Sequence, residues 1–160
     1  LLEPLKKGSE PRIVMVSSRG HFKAGKVDFD NLRKPTKSLT GFPEYCVSKL
    51  ANVVHAQKLA ELLKEDGITT YAVHPGVIAS DIWRRIPQPF RWLFTSRMKT
   101  NEEGAYSTIH AASASELSSQ SGRYYHEDGE PKTPSALARD KAFCDRLWSL
   151  SMDGLRGFTD

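Results

Sequence analysis

Between Arg12 and Gly76 the spacing of apolar residues changes twice, and the change dictates a strand, a helix and a second strand in that order. Arg12-Ile13-Val14-Met15-Val16-Ser17-Ser18 is a continuous β-branched run that stops at small polar residues. A strand with one wet face alternates, so this run predicts a parallel strand buried on both faces. From Pro43 the period becomes three and four, with Val47, Leu50, Ala51, Val54, Leu59, Leu62 and Leu63 on one side and Lys58, Glu61, Lys64 and Glu65 on the other. That pattern is an amphipathic helix of about six turns, with Gly67 as its expected C-terminal cap. Thr69-Thr70-Tyr71-Ala72-Val73-His74 then predicts a second buried strand, broken at Pro75-Gly76. Strand, helix and strand in this order form a βαβ unit, so the fold class is α/β with a parallel sheet, a right-handed crossover and flanking helices.

The rest of the chain is less periodic. Residues 19–43 are polar and read as a long loop, a length that in compact domains is usually functional. Asn101 with Glu102 and Glu103 opens a helix expected to run to about Ala114. Residues 122–125 predict a short third strand, and residues 135–151 a last helix. The 160 residues suffice for one hydrophobic core, with ordinary apolar and charged content. The net charge of +4 comes from scattered basic residues without interleaved aromatics, which argues against a nucleic-acid partner. Cys46 and Cys144 form no CxxC and fit a reducing compartment, cytoplasmic or on the cytoplasmic face of a membrane. The chain begins at Leu1 without Met, and residues are expected to precede it.

In open parallel sheets ligands bind at the carboxyl ends of the strands. That rule points to Ser17-Ser18 and to Pro75-Gly76-Val77, while the intervening helix starts near the same edge with Tyr45 and Lys49 on one face, four residues apart. A hydroxyl, a phenol and an ammonium therefore converge. A phenol is a poor acid-base catalyst at neutral pH, but a lysine ammonium within about 4–6 Å favours the phenolate. A serine hydroxyl alongside holds a substrate oxygen much as an oxyanion donor does. Taken singly, a Tyr-x-x-x-Lys or a Ser-Ser is commonplace; the joint order is rare.

That order resembles the short-chain dehydrogenase/reductase family, in particular the branch that includes retinol dehydrogenases. The matching stretches are Arg12-Ile-Val-Met-Val-Ser-Ser18, Tyr45-Cys-Val-Ser-Lys-Leu-Ala-Asn52 and Thr69-Thr-Tyr-Ala-Val-His-Pro-Gly76. The resemblance implies a Rossmann-type sheet of which only the second half is present, residues 1–160 forming a single partial domain. It implies NAD(P)-dependent interconversion of an alcohol and a carbonyl, with NADP, or NAD, as cofactor. Ser18 would orient the substrate oxygen, Tyr45 would be the general acid and base, and Lys49 would hold the nicotinamide ribose. Pro75, Gly76 and Val77 would line the nicotinamide, and Ser80 would replace a cofactor-contacting threonine. Residues 77–100 would form the substrate lid, its aromatic content pointing to an apolar retinoid, steroid or lipid aldehyde. The Tyr45 helix is a frequent dimer interface in the family, so a homodimer is an expected partner. The family's Gly-rich dinucleotide turn, its residue selecting NAD or NADP and its upstream catalytic asparagine have no counterpart in these residues and would lie before residue 1. The alternative is a truncated, non-catalytic segment acting only through association with another chain.

Other signals are weaker. Gly20-His21-Phe22-Lys23-Ala24-Gly25-Lys26 imitates a phosphate-binding loop but is followed by Val27, not Ser or Thr, and reads as a plain surface loop. The five histidines show no metal-ligand spacing, and no G-x-S-x-G elbow is present. Segment 82–94 also reads as a peripheral membrane contact, with Trp83, Phe90, Trp92 and Phe94 beside several arginines.

Overall fold

The computed structural model describes residues 2–36, 38–79, 89–96 and 98–156. After a short helix α1 (Leu2–Lys6), the expected βαβ unit is present as β1 (Arg12–Val16), α2 (Phe42–Leu62) and β2 (Thr69–Val73). Then come α3 (Phe90–Thr95), α4 (Asn101–Ser113), β3 (Tyr124–Tyr125), β4 (Pro131–Lys132), α5 (Ala136–Arg139) and α6 (Lys141–Leu155). The strands lie in the order β1-β2-β3-β4. Arg12 pairs with Thr69 and Val16 with Val73 in the parallel β1–β2 ladder, and Ala72 pairs with Tyr124 in the parallel β2–β3 ladder.

The sheet is mixed rather than wholly parallel, because β4 returns antiparallel to β3. This strand was not anticipated: it is two exposed residues, one of them proline, and a tight turn sets it. Gly129, at φ +81, donates to the His126 carbonyl at 3.0 Å, and His126 donates to Glu130. Position, not composition, makes these residues a strand.

β2 is the buried centre, and its side chains alternate between two layers. Ala72 packs with Cys46, Leu50, Val53 and Val54 of α2 and with Cys144 and Leu147 of α6. Tyr71 and Val73 pack with Tyr125, Ala111 and Leu117 on the opposite face. Both faces covered is the reason the β2 sequence does not alternate. β1 departs from its expected burial on both sides: its first four residues are half-buried and Val16 is exposed. It is the edge of the sheet, with β2 on one side only among the described residues. Its anchor at the other end is Arg12, whose guanidinium donates to the carbonyls of Ala111 at 3.2 Å and Ala114 at 2.7 Å, at the negative end of α4.

Several boundaries shift for local reasons. α2 ends at Leu62, and Gly67, at φ +68, closes a separate turn five residues later rather than capping the helix. α4 is capped by Thr100, not Asn101, through a reciprocal pair in which Glu103 N donates to Thr100 Oγ1 and Thr100 N to Glu103 Oε2. The single last helix is two, because Ser135 caps α5 and Asp140 caps α6. No helix among the described residues is long and apolar enough to cross a membrane.

Leu50 is fully buried where α2 meets the sheet. Replacing it with Ala removes about 2–5 kcal/mol of stability through lost burial and a residual cavity. A urea titration followed by far-ultraviolet circular dichroism measures this, and a midpoint within error of wild type would show that the α2–β2 contact is not a core contact.

Candidate active site

The end of β1 and the start of α2 are tied together by three hydrogen bonds. Ser17, buried, donates its hydroxyl to the Lys49 carbonyl at 2.7 Å. In return Lys49 Nζ and Asn52 Nδ2 donate to the Val16 carbonyl at 3.1 and 2.9 Å. The first turn of α2 therefore stands over the carboxyl edge of the sheet.

Ser18 follows in extended backbone and caps a 3-10 turn over Arg19–Lys23, with its Oγ accepting from Gly20 N at 3.1 Å. Gly20 lies directly against Tyr45: a Cβ there would sit 3.1 Å from Tyr45 Cε1 and 3.5 Å from Ser18 Oγ. The serine hydroxyl and the tyrosine ring thus border one small space. Tyr45 is partly exposed, at 37%, and its ring stacks on Phe42 at 6.2 Å. Lys49 Nζ lies 5.6 Å from the centre of the Tyr45 ring, on the same helix face.

The turn carrying Ser18 is not a plain surface loop, contrary to the sequence expectation. His21 is fully buried within it. Its Nδ1 lies 2.7 Å from the Ser18 carbonyl and its Nε2 accepts from Ser135 N at 3.2 Å. A carbonyl only accepts and an amide N–H only donates, so the neutral ring carries its proton on Nδ1. One histidine thereby braces Ser18 against the cap of α5, more than a hundred residues away in sequence.

A cleft of about 1000 Å³ opens over this edge, lined by Ser18 and Tyr45 together with His74, Gly76 and Val77 at the end of β2. Gly76 has φ +94, and a Cβ there would lie 2.2 Å from Glu127 Oε2, so only glycine fits. Burial pushes His74 down to about 4, helped by His126 and Arg19, so its ring is neutral at pH 7. Its Nδ1 takes the Gly76 N–H at 3.4 Å. Five expected site residues, Ser18, Tyr45, Lys49, Gly76 and Val77, thus meet at one edge, with Pro75 between β2 and Gly76. Ser80 lies outside the described residues, as do residues 81–88 and 97 of the expected lid. The described ends of that lid are pinned together: Ala79 N donates to Lys99 O at 2.9 Å and Lys99 N to Val77 O at 3.1 Å.

The cleft also contains residues that the sequence reading did not single out, chiefly Arg19, Phe22, Lys23 and Phe42. Phe22 and Phe42 are about half exposed beside Tyr45, and two isolated aromatics in a polar loop were the available signal.

The chain is 41% identical to human retinol dehydrogenase 12 and 39% identical to human retinol dehydrogenase 11, each over 155 residues. It is 34% identical over 163 residues to human retinol dehydrogenase 13. The chain belongs to the short-chain dehydrogenase/reductase family. These matches cover about 95% of the chain, which spans about half the length of these relatives and corresponds to their carboxy-terminal half. Among solved structures, an uncharacterized protein from Mycobacterium paratuberculosis superposes with a TM-score of 0.59 at 24% identity, over 89% of this chain and 49% of that one. The NADPH-bound carbonyl reductase from chicken fatty liver gives 0.56 at 19% identity, over 82% and 49%. At these identities the superpositions establish the Rossmann-type fold. The chain matches no protein-family model.

Three histidines, His21, His55 and His74, are held below their ordinary value, in each case chiefly by burial. The unfolded chain takes up protons near 6.5 and the folded chain does not, so stability is fully present above 6.5 and falls as pH drops towards 4. His74 alone accounts for a loss on the order of 3 kcal/mol across that window. Urea midpoints measured from pH 7.5 to 4 test this; a His74→Phe variant should flatten the slope, and an unchanged slope would mean the ring titrates freely.

Proposed function

We propose that the chain supplies the catalytic half of an NAD(P)-dependent oxidoreductase that interconverts an alcohol and a carbonyl, with Tyr45 as acid and base. The observation that carries this reading is the meeting of Ser18 and Tyr45 with Gly76 and Val77 around one cleft at the carboxyl edge of two parallel strands, with the Lys49 ammonium beside the Tyr45 ring. The relatives named above are dehydrogenases, which supports the enzyme reading and gives no support to a purely associative segment.

The residues present fit the nicotinamide end of the cofactor. Gly76, without a side chain, lets backbone approach a flat ring, and the Val77 carbonyl is already engaged by Lys99 N–H, so the Val77 N–H is the group left for a carboxamide. Lys49 spends one of its three donors on Val16 and retains two for ribose hydroxyls. NADP is the expected cofactor, with NAD the alternative. When bound, the nicotinamide would exchange a hydride with the substrate carbon.

The protein's own groups handle the proton. Ser18 Oγ accepts from Gly20, which leaves its O–H to donate to the substrate oxygen. Tyr45 Oη gives its proton to that oxygen during reduction and takes it back during oxidation. The Lys49 ammonium beside the ring stabilises the phenolate formed in the first case. Phe22, Phe42 and Val77, each 40–52% exposed around the cleft, suit an apolar substrate. On the lid, Phe90 and Trp92 of α3 are about two-thirds exposed, which favours a lid that also rests on a lipid surface.

Tyr45→Phe should lower kcat by about 10²–10⁴-fold while leaving NADPH affinity close to wild type. Lys49→Met should impair both, since it removes a ribose contact and a charge. Steady-state kinetics with fluorescence titration of NADPH separate the two effects, and near-normal turnover by Tyr45→Phe would refute the mechanism. Turnover of small polar sugars in preference to apolar alcohols would overturn the substrate class.

A further inference from the structure

The cleft over Tyr45 is apolar in its walls but one-sided in its polar groups. Among the described residues that line it there is no aspartate or glutamate, whereas Arg19 and Lys23 both face it from the turn that carries Ser18. Neither cation has a carboxylate partner among the described residues. Lys23 Nζ lies 5.9 Å over the Phe42 ring, a contact that leaves its charge unneutralised. Arg19 immediately follows Ser18 and is an exposed residue that lines the cleft. Glu127, beneath Gly76, is paired with Lys99 at 3.5 Å.

His74 adds a neutral, buried ring to the wall. His74 is 98% buried by its 2% relative exposure and forms part of the cleft wall. Because Nδ1 accepts from Gly76 N–H, the proton of the neutral ring resides on Nε2, and Nε2 has no partner among the described residues. Two cations without a carboxylate partner among the described residues, together with the hydroxyl residues Ser18, Thr40 and Tyr45 in an apolar surround, are complementary to oxygen with negative charge, carried on an apolar body.

We propose that this site selects an alcohol or carbonyl compound whose apolar body also bears an anionic oxygen group such as a carboxylate, with Arg19 and Lys23 as the specificity-determining residues. The proposal rests on the oxidoreductase reading for the alcohol or carbonyl, but its anion selectivity is a binding property and is tested apart from turnover. The same anionic oxygens also occur in the phosphates of a dinucleotide, and the experiment distinguishes the two sources.

The test is isothermal titration of the full chain with decanoate and with 1-decanol, whose apolar bodies match. Decanoate should bind at least about tenfold more tightly, since a charge near two cations in a partly desolvated cleft gains more than it does in water. The preference should shrink as salt rises from 20 to 300 mM. Arg19→Gln combined with Lys23→Gln should abolish the preference while leaving decanol affinity unchanged, and Arg19→Lys should retain most of it. Both positions are exposed, so the double variant should keep the wild-type urea midpoint. Tyr45→Phe should leave the preference intact even though it removes turnover, so failure of the catalytic reading does not mimic failure of this one. Equal affinities, or a preference that survives the double variant, would overturn the proposal. So would a double variant that loses NADPH affinity and keeps its decanoate preference, because the cations would then serve a cofactor phosphate.

Discussion

The site depends on how α2 is fastened to the last residues of β1. Val16 has a carbonyl at the free edge of the sheet, and without partners that group would weaken the edge strand. Lys49 and Asn52 both donate to it, while Ser17 donates back to the Lys49 carbonyl. These bonds set the height and rotation of the helix, and Tyr45 lies one turn before Lys49. The placement of a phenol next to Ser18 is thus a consequence of satisfying backbone groups at a strand end. The same lysine serves both structure and the proposed chemistry.

Around that fastening the molecule keeps its ionisable groups in distinct environments. His21 and His74 are buried and neutral, and each has a tautomer dictated by the backbone groups it meets: Nδ1–H in the first, Nε2–H in the second. His21 turns a five-residue loop into a rigid support by linking Ser18 to the cap of α5. Arg19 and Lys23, on that same turn, remain at the surface without a carboxylate partner among the described residues. A short stretch of chain therefore combines an inward face that holds the serine and an outward face that colours the cleft with positive charge.

Much of the fold was legible because burial on both faces leaves a mark in composition. The run Thr69–Val73 is apolar without alternation and lies in the sheet centre, where both faces are covered. β1 carries a similar run yet is half-exposed, since the sequence of a strand reports the faces it is suited to cover and not the neighbours it has in a given chain. The α6 boundary, the Thr100 cap and the two-residue β4 escaped notice for a related reason. Each is settled by one or two hydrogen bonds whose partners are equally plausible one residue away in sequence.

Within the site, the spacing of Tyr45 and Lys49 on a helix, the small residues after each strand and the Pro75-Gly76 break were determined by the sequence itself, because helical periodicity and strand termination are local properties. The bracing of Ser18 by His21 and Ser135, the shared space above Gly20, and the placing of Arg19 and Lys23 beside Phe22 and Phe42 were decided by the tertiary structure. Those arrangements join residues from separate elements, and no local pattern encodes which side chain a buried ring will meet across more than a hundred residues.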